Sequence, residues 1–174
     1  MSKQPATPKV ANLNDLLAVA YQIEIDAVDR YKLLADQMEV HNNPELVKVF
    51  RDLARAEGIH GEEIRRMAGD FDVAAHAREL KFAGESPEEA DMSEAHYRMT
   101  PWHALQMSLA GEERALAYFT SIVETAKDEK VKTLAAELVE EEAEHVQLVH
   151  KLLRRYPKPA ENWAEDLDPP QSLE

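Results

Sequence analysis

The chain has 174 residues, with 34 acidic and 20 basic side chains, for a formal charge of −14. That surplus disfavours phosphate-bearing partners, so neither nucleic acid nor an anionic membrane is expected as a ligand. Cysteine is absent. Disulfides, thiolate zinc sites, iron–sulfur clusters and thiol catalysis go with it, and any metal must be held by Glu, Asp and His.

Residues 1–11 contain Pro5 and Pro8 and read as a flexible arm. A helical stripe follows, with Leu13, Leu17, Ala20, Glu24, Ala27, Tyr31, Leu34 and Met38 recurring at steps of three or four. His41 to Asn43 break it. Asn43 suits a helix cap and Pro44 a first helical position. The second stripe is Leu46, Phe50, Leu53, Glu57, His60, Ile64 and Met67, ended by Gly69. Residues 70–99 form a long connection, with a short helix expected over 73–82 and a start signal at Ser86-Pro87-Glu88-Glu89. Thr100-Pro101 opens a third long helix with the stripe Leu105, Leu109, Glu112, Ala115, Phe119 and Ile122. A short turn at Lys127-Asp128 leads to Val131, Leu134, Leu138, Glu142, His145, Val149 and Leu152. Residues 157–174 form an acidic tail whose one large apolar anchor is Trp163.

Two helical hairpins joined by a long connection describe an all-α four-helix bundle, residues 12–156, with one long crossover between its second and third helices. With 44% hydrophobic residues, the chain can build a core. Five glycines and 6% aromatics argue against an all-β domain. No apolar run approaches the roughly 18 residues of a membrane span. The first 14 residues lack the apolar centre of a signal peptide, so a cytoplasmic location is expected.

Each long stripe carries a glutamate on its core-facing side, where an isolated carboxylate is costly. In the second and fourth helices a histidine follows three residues later: Glu57-Gly58-Ile59-His60 and Glu142-Ala143-Glu144-His145. Roughly one such motif is expected by chance in a chain this rich in Glu. Here both copies fall on core stripes and occupy equivalent helices of the two halves. The halves align further. Glu24-x-x-Ala27-x-x-x-Tyr31 matches Glu112-x-x-Ala115-x-x-x-Phe119, and Leu53-x-x-x-Glu57-x-x-His60 matches Leu138-x-x-x-Glu142-x-x-His145. This is a faint internal duplication.

Four carboxylates and two imidazoles supply ligands for two metals, and two divalent ions would cancel the four negative charges. Mixed oxygen and nitrogen donors suit iron or manganese, and zinc can compete. Tyr31 is a core aromatic whose hydroxyl can reach a ligand carboxylate. Glu141 is the best outer candidate among the neighbouring acids. Gly58 and Gly61 are expected to let another segment approach closely.

These paired motifs resemble the ferritin-like di-iron carboxylate superfamily, and within it the rubrerythrin branch, over residues 13–153. The resemblance implies two iron ions held by Glu24, Glu57, His60, Glu112, Glu142 and His145. It makes Glu57 and Glu142 the bridges, and Glu24 and Glu112 the terminal ligands. It implies an oxidoreductase that reduces hydrogen peroxide or dioxygen. Two departures stand out. There is no cysteine-rich rubredoxin module, so a separate electron-donor protein is expected. Ala115 stands where rubrerythrins carry an additional glutamate. Ferroxidation with iron storage or delivery is the alternative function, and a di-iron oxygenase or hydroxylase the third. A homodimer or larger homo-oligomer is expected.

Overall fold

The computed structural model describes residues 9–80 and 99–160. They form five helices: α1 (Leu13–Val40), α2 (Pro44–Ala68), the short α3 (Val73–Glu79), α4 (Pro101–Thr125) and α5 (Glu129–Leu153). The start signal at Ser86 to Glu89, Phe82, the first eight residues of the arm and Trp163 lie outside the described residues.

Local chemistry sets the helix ends. The Asn12 side chain accepts from the Asp15 amide at 2.9 Å, and that of Asn43 from the Leu46 amide at 3.0 Å. Each satisfies a backbone donor that the first turn leaves open. Asp128 accepts from the Lys130 and Val131 amides. At α4 the Thr100 hydroxyl and amide both meet His103 Nδ1, at 2.7 and 3.3 Å. Gly69 ends α2 at φ +62°, a left-handed conformation that glycine adopts without steric cost.

The pairs α1–α2 and α4–α5 are hairpins packed along their lengths. Two apolar clusters fill the bundle, one toward each end. One contains Tyr31, Leu34, Met38, Phe50, Leu105 and Leu152. The other contains Leu16, Ile23, Ile64, Phe119, Val131 and Leu138. Leu80, just after α3, packs on the second cluster, whereas Met99, just before α4, is buried in the first. The crossover therefore leaves from one end of the bundle and returns at the other. That polarity makes it a ferritin-like bundle.

Three details differ from the sequence reading. Met67 is exposed rather than core. It lines a largely apolar groove with Leu13, Leu17 and Leu134 near the end of α2. The short helix ends at Glu79, with Leu80 as its cap. A Cβ on Gly58 or Gly61 would sit 3.6 Å or more from its neighbours, in ordinary van der Waals contact. Neither glycine is required by close approach. Gly111 is, for a reason found at the bundle's centre.

Candidate metal centre

Between the two apolar clusters lies a polar layer. Glu24 of α1, Glu57 of α2, Glu112 of α4 and Glu142 of α5 are all buried, at 1%, 1%, 0% and 4% exposure. Helical periodicity brings them there, because each sits in register with the apolar residues of its stripe. His60 and His145 lie one turn after Glu57 and Glu142 and face each other, ring planes 14° apart and centroids 6.0 Å apart.

The donor atoms form two triads. One is Glu24, Glu57 and His60, the other Glu57, Glu112 and His145, and within each the ligand atoms lie within 4.8 Å of one another. Glu57 belongs to both. Its Oε1 lies 3.0 Å from His145 Nδ1, and its Oε2 lies 3.5 Å from His60 Nδ1. Glu24 Oε2 is 3.9 Å from His60 Nδ1, and Glu112 Oε2 is 3.5 Å from His145 Nδ1. Glu142 is buried beside Glu112 but falls outside both triads.

Buried polar atoms ordinarily find hydrogen-bond partners. Here Glu57 Oε1, Glu112 Oε2 and His145 Nδ1 have none. Their neighbours are near enough for electrostatic attraction but are not arranged as hydrogen bonds. Three unpartnered donor atoms converging from three helices fit a bound cation, and the oxygen and nitrogen chemistry suits a first-row divalent metal.

The metal-free charges reorganise to tolerate burial. Burial, with Glu57 next to it, pushes the Glu24 carboxyl well above the usual range. Burial and Glu112 do the same to Glu142. Burial alone would also raise Glu57, but His145 and His60 hold it well below the usual range. Burial works against Glu112 too, and His145 and Arg30 bring it down. His145 would be lowered by burial, but Glu112 and Glu57 push it up to about 10. His60 is raised, first by Glu57. The shifts run in opposite directions: Glu57 and Glu112 are pushed toward the charged form, and Glu24 and Glu142 toward the neutral one.

Tyr31 does more than pack. Its hydroxyl donates a short hydrogen bond to Glu112 Oε1 and lies 3.0 Å from the Ser108 hydroxyl. Phe119 is wholly apolar core. Glu141 Oε2 is 3.8 Å from His60 Nδ1, on a half-exposed side chain. Around it, His60, Glu63, Ile64, Leu138 and Glu141 line a cleft of about 340 Å³ that opens on the His60 edge of the layer.

Arg30 is the residue missed by sequence reasoning. It is 4% exposed, its Nη2 is 3.1 Å from Glu112 Oε1, and its guanidinium lies over the Tyr31 ring at 4.8 Å. A Cβ on Gly111 would fall 2.4 Å from Arg30 Nη1. The glycine makes room for the guanidinium. A mid-helix glycine directly before a core glutamate, with no turn to serve, was the available signal.

The sequence model of the rubrerythrin family matches residues 15–97, a span that holds Glu24, Glu57 and His60. No curated protein matches. Among solved structures, an uncharacterised conserved protein from Magnetospirillum magnetotacticum MS-1 is similar, with 33% sequence identity and a TM-score of 0.68 over 86% of this chain and 98% of that one. Among the described residues, no helix is long and apolar enough to cross a membrane. With its crossover polarity, its layer of buried Glu and His, and these likenesses, the chain belongs to the rubrerythrin family of ferritin-like di-iron proteins.

Proposed function

We propose that the protein is a non-haem di-iron oxidoreductase that reduces hydrogen peroxide, with Glu24, Glu57, His60, Glu112, Glu142 and His145 as metal ligands. The observation that carries this reading is the sharing of Glu57 by two Glu/His triads, with Glu57 Oε1, Glu112 Oε2 and His145 Nδ1 of the second triad lacking hydrogen-bond partners. When bound, two iron ions supply the two electrons that convert peroxide, with two protons, into two waters.

The chain's own residues do the rest. Glu57 presents one oxygen to each triad and holds their spacing. Glu142, buried beside Glu112, would supply the fourth carboxylate to the centre. The apolar clusters above and below exclude bulk water, which strengthens each electrostatic contact. Tyr31 and Arg30 fix the rotamer of Glu112. The cleft beside His60 has room for a small polar substrate. With no cysteine in these 174 residues, the replacement electrons come from a separate donor protein. A cytoplasmic setting and a homo-oligomer complete the reading.

Anaerobic loading with Fe(II), followed by rapid mixing with peroxide or with air-saturated buffer, tests it. The expected result is two irons per chain, one peroxide consumed per two irons, and faster optical oxidation by peroxide than by air. Faster oxidation by air, with ferric iron accumulating well beyond two per chain, would replace it by ferroxidation and storage.

A further inference from the structure

The duplicated halves make the two triads alike in ligands but not in surroundings. The α4 motif lies 88 positions after the α1 motif, as Glu112 to Glu24 shows. At that offset Arg30 corresponds to Tyr118, Tyr31 to Phe119, Ser108 to Ala20 and Gly111 to Ile23. The first member of each pair clusters at Glu112. There Arg30 and Tyr31 both engage Oε1, Ser108 meets the Tyr31 hydroxyl, and Gly111 leaves space for the guanidinium. The second members are core residues. Phe119, Tyr118, Ala20 and Ile23 pack in the second apolar cluster. The groups acting most strongly on Glu24 are carboxylates, Glu57 first.

Glu112 therefore offers the centre one oxygen, Oε2, while Oε1 is held by a buried cation and a phenol. A metal entering the Glu112–His145 position shares its carboxylate with a fixed positive charge and is repelled by it across a medium of low dielectric. Among the described residues, the groups acting on Glu24 are carboxylates, so a metal entering the Glu24–His60 position would meet no such competitor there.

We propose that Arg30 is a positioning residue that makes the two metal positions unequal, so that the Glu24–Glu57–His60 position fills first and the Glu57–Glu112–His145 position second and more weakly. This rests on the di-metal reading above. Its consequence is that a half-loaded form, with the metal on the α1–α2 side, is populated at limiting metal.

Anaerobic titration with Co(II), followed by calorimetry and by the visible ligand-field bands, tests it. The wild-type protein is expected to bind two ions in resolved steps whose Kd values differ by about tenfold or more, the range of a charged buried hydrogen bond. His60→Gln should abolish the tight step, and His145→Gln the weak one. Arg30→Gln should tighten the weak step and bring the two Kd values together, whereas Arg30→Lys, which keeps the charge, should preserve the gap. Gly111→Ala should also narrow it by displacing the guanidinium, without altering any charge. Two equal steps in the wild type would overturn this proposal and leave the di-metal reading standing. So would loss of the tight step in His145→Gln. Should Arg30→Gln fail to fold, the histidine variants decide the order of filling and Gly111→Ala the role of the guanidinium. Failure of the wild type to bind any Co(II) would overturn both readings.

Discussion

The two sides of the candidate metal centre carry one motif in different surroundings. At the positions matched to the Glu112 supports, Ala20, Ile23 and Phe119, the core is apolar. Around Glu112 it is polar, with Arg30, Tyr31 and Ser108 drawn in and Gly111 hollowed out to fit them. The candidate ligands repeat, as two like metals would require. Their supports are set by what each carboxylate must do without the metal, so they differ. Burial pushes Glu24 toward its neutral form, whereas pairing with His145 and Arg30 outweighs burial at Glu112 and favours its charged form.

Substitutions at matched positions can break this contrast. The largest effect is expected at Glu57, the one residue common to both triads. Glu57→Ala should abolish binding of both metals, measured as metal per chain after anaerobic loading. Retention of two would remove Glu57 from its shared role. Next in size is the contrast between glycines. Gly111→Ala should destabilise the metal-free protein by about 1–3 kcal/mol, because its Cβ collides with a buried guanidinium. Gly61→Ala, whose Cβ would make only ordinary van der Waals contacts, should be neutral or stabilise by up to about 1 kcal/mol through helix propensity. Denaturant midpoints of the two variants would show the difference, and equal effects would contradict it. Tyr31→Phe should cost about 1–2 kcal/mol, since it leaves the buried Ser108 hydroxyl and Glu112 Oε1 each short of a partner. Phe119→Leu, at the matched position, should cost only packing.

The smallest effect lies away from the centre, where α3 is tied to the start of α1. His76 Nε2 meets Asp15 Oδ1 at 2.7 Å, Glu79 lies 3.5 Å from Nδ1, and the Phe71 ring edges the imidazole. Asp15 raises the His76 pKa. Burial opposes ionisation of Asp15, but His76 and the Ala11 amide outweigh it and lower the pKa. A raised histidine stabilises fully below its unfolded value, near 6.5, and loses that contribution as pH climbs through the folded value. A lowered aspartate stabilises above its unfolded value, near 4, and loses it as pH falls. The tie is therefore strongest between about pH 4 and 6.5. His76→Gln should lower Tm more at pH 5.5 than at pH 8.5. An equal loss at both would show that the charge pair contributes nothing.

Much of this architecture was readable in the sequence, and the reasons are local. Asn43-Pro44 and Thr100-Pro101 mark helix starts by chemistry that operates within one turn. The stripe glutamates are conspicuous because burying four carboxylates makes no sense without a compensating charge. Arg30 was invisible for the opposite reason. Arginine on a helix is ordinarily solvated, and only the absent side chain of Gly111, 81 residues away, makes room for it in the core. The exposure of Met67 was equally hidden, because periodicity reports a face but not whether another element covers it. Gly58 and Gly61 misled because a mid-helix glycine signals close approach only when a neighbour is there.

On the proposed reading, two metals sit side by side across Glu57. A crystal structure of the protein loaded anaerobically with Fe(II), with anomalous data collected at the iron edge, tests it most directly. Two peaks per chain are expected in the polar layer, one between Glu24, Glu57 and His60 and one between Glu57, Glu112 and His145. A single peak, or peaks only on the acidic surface, would contradict it.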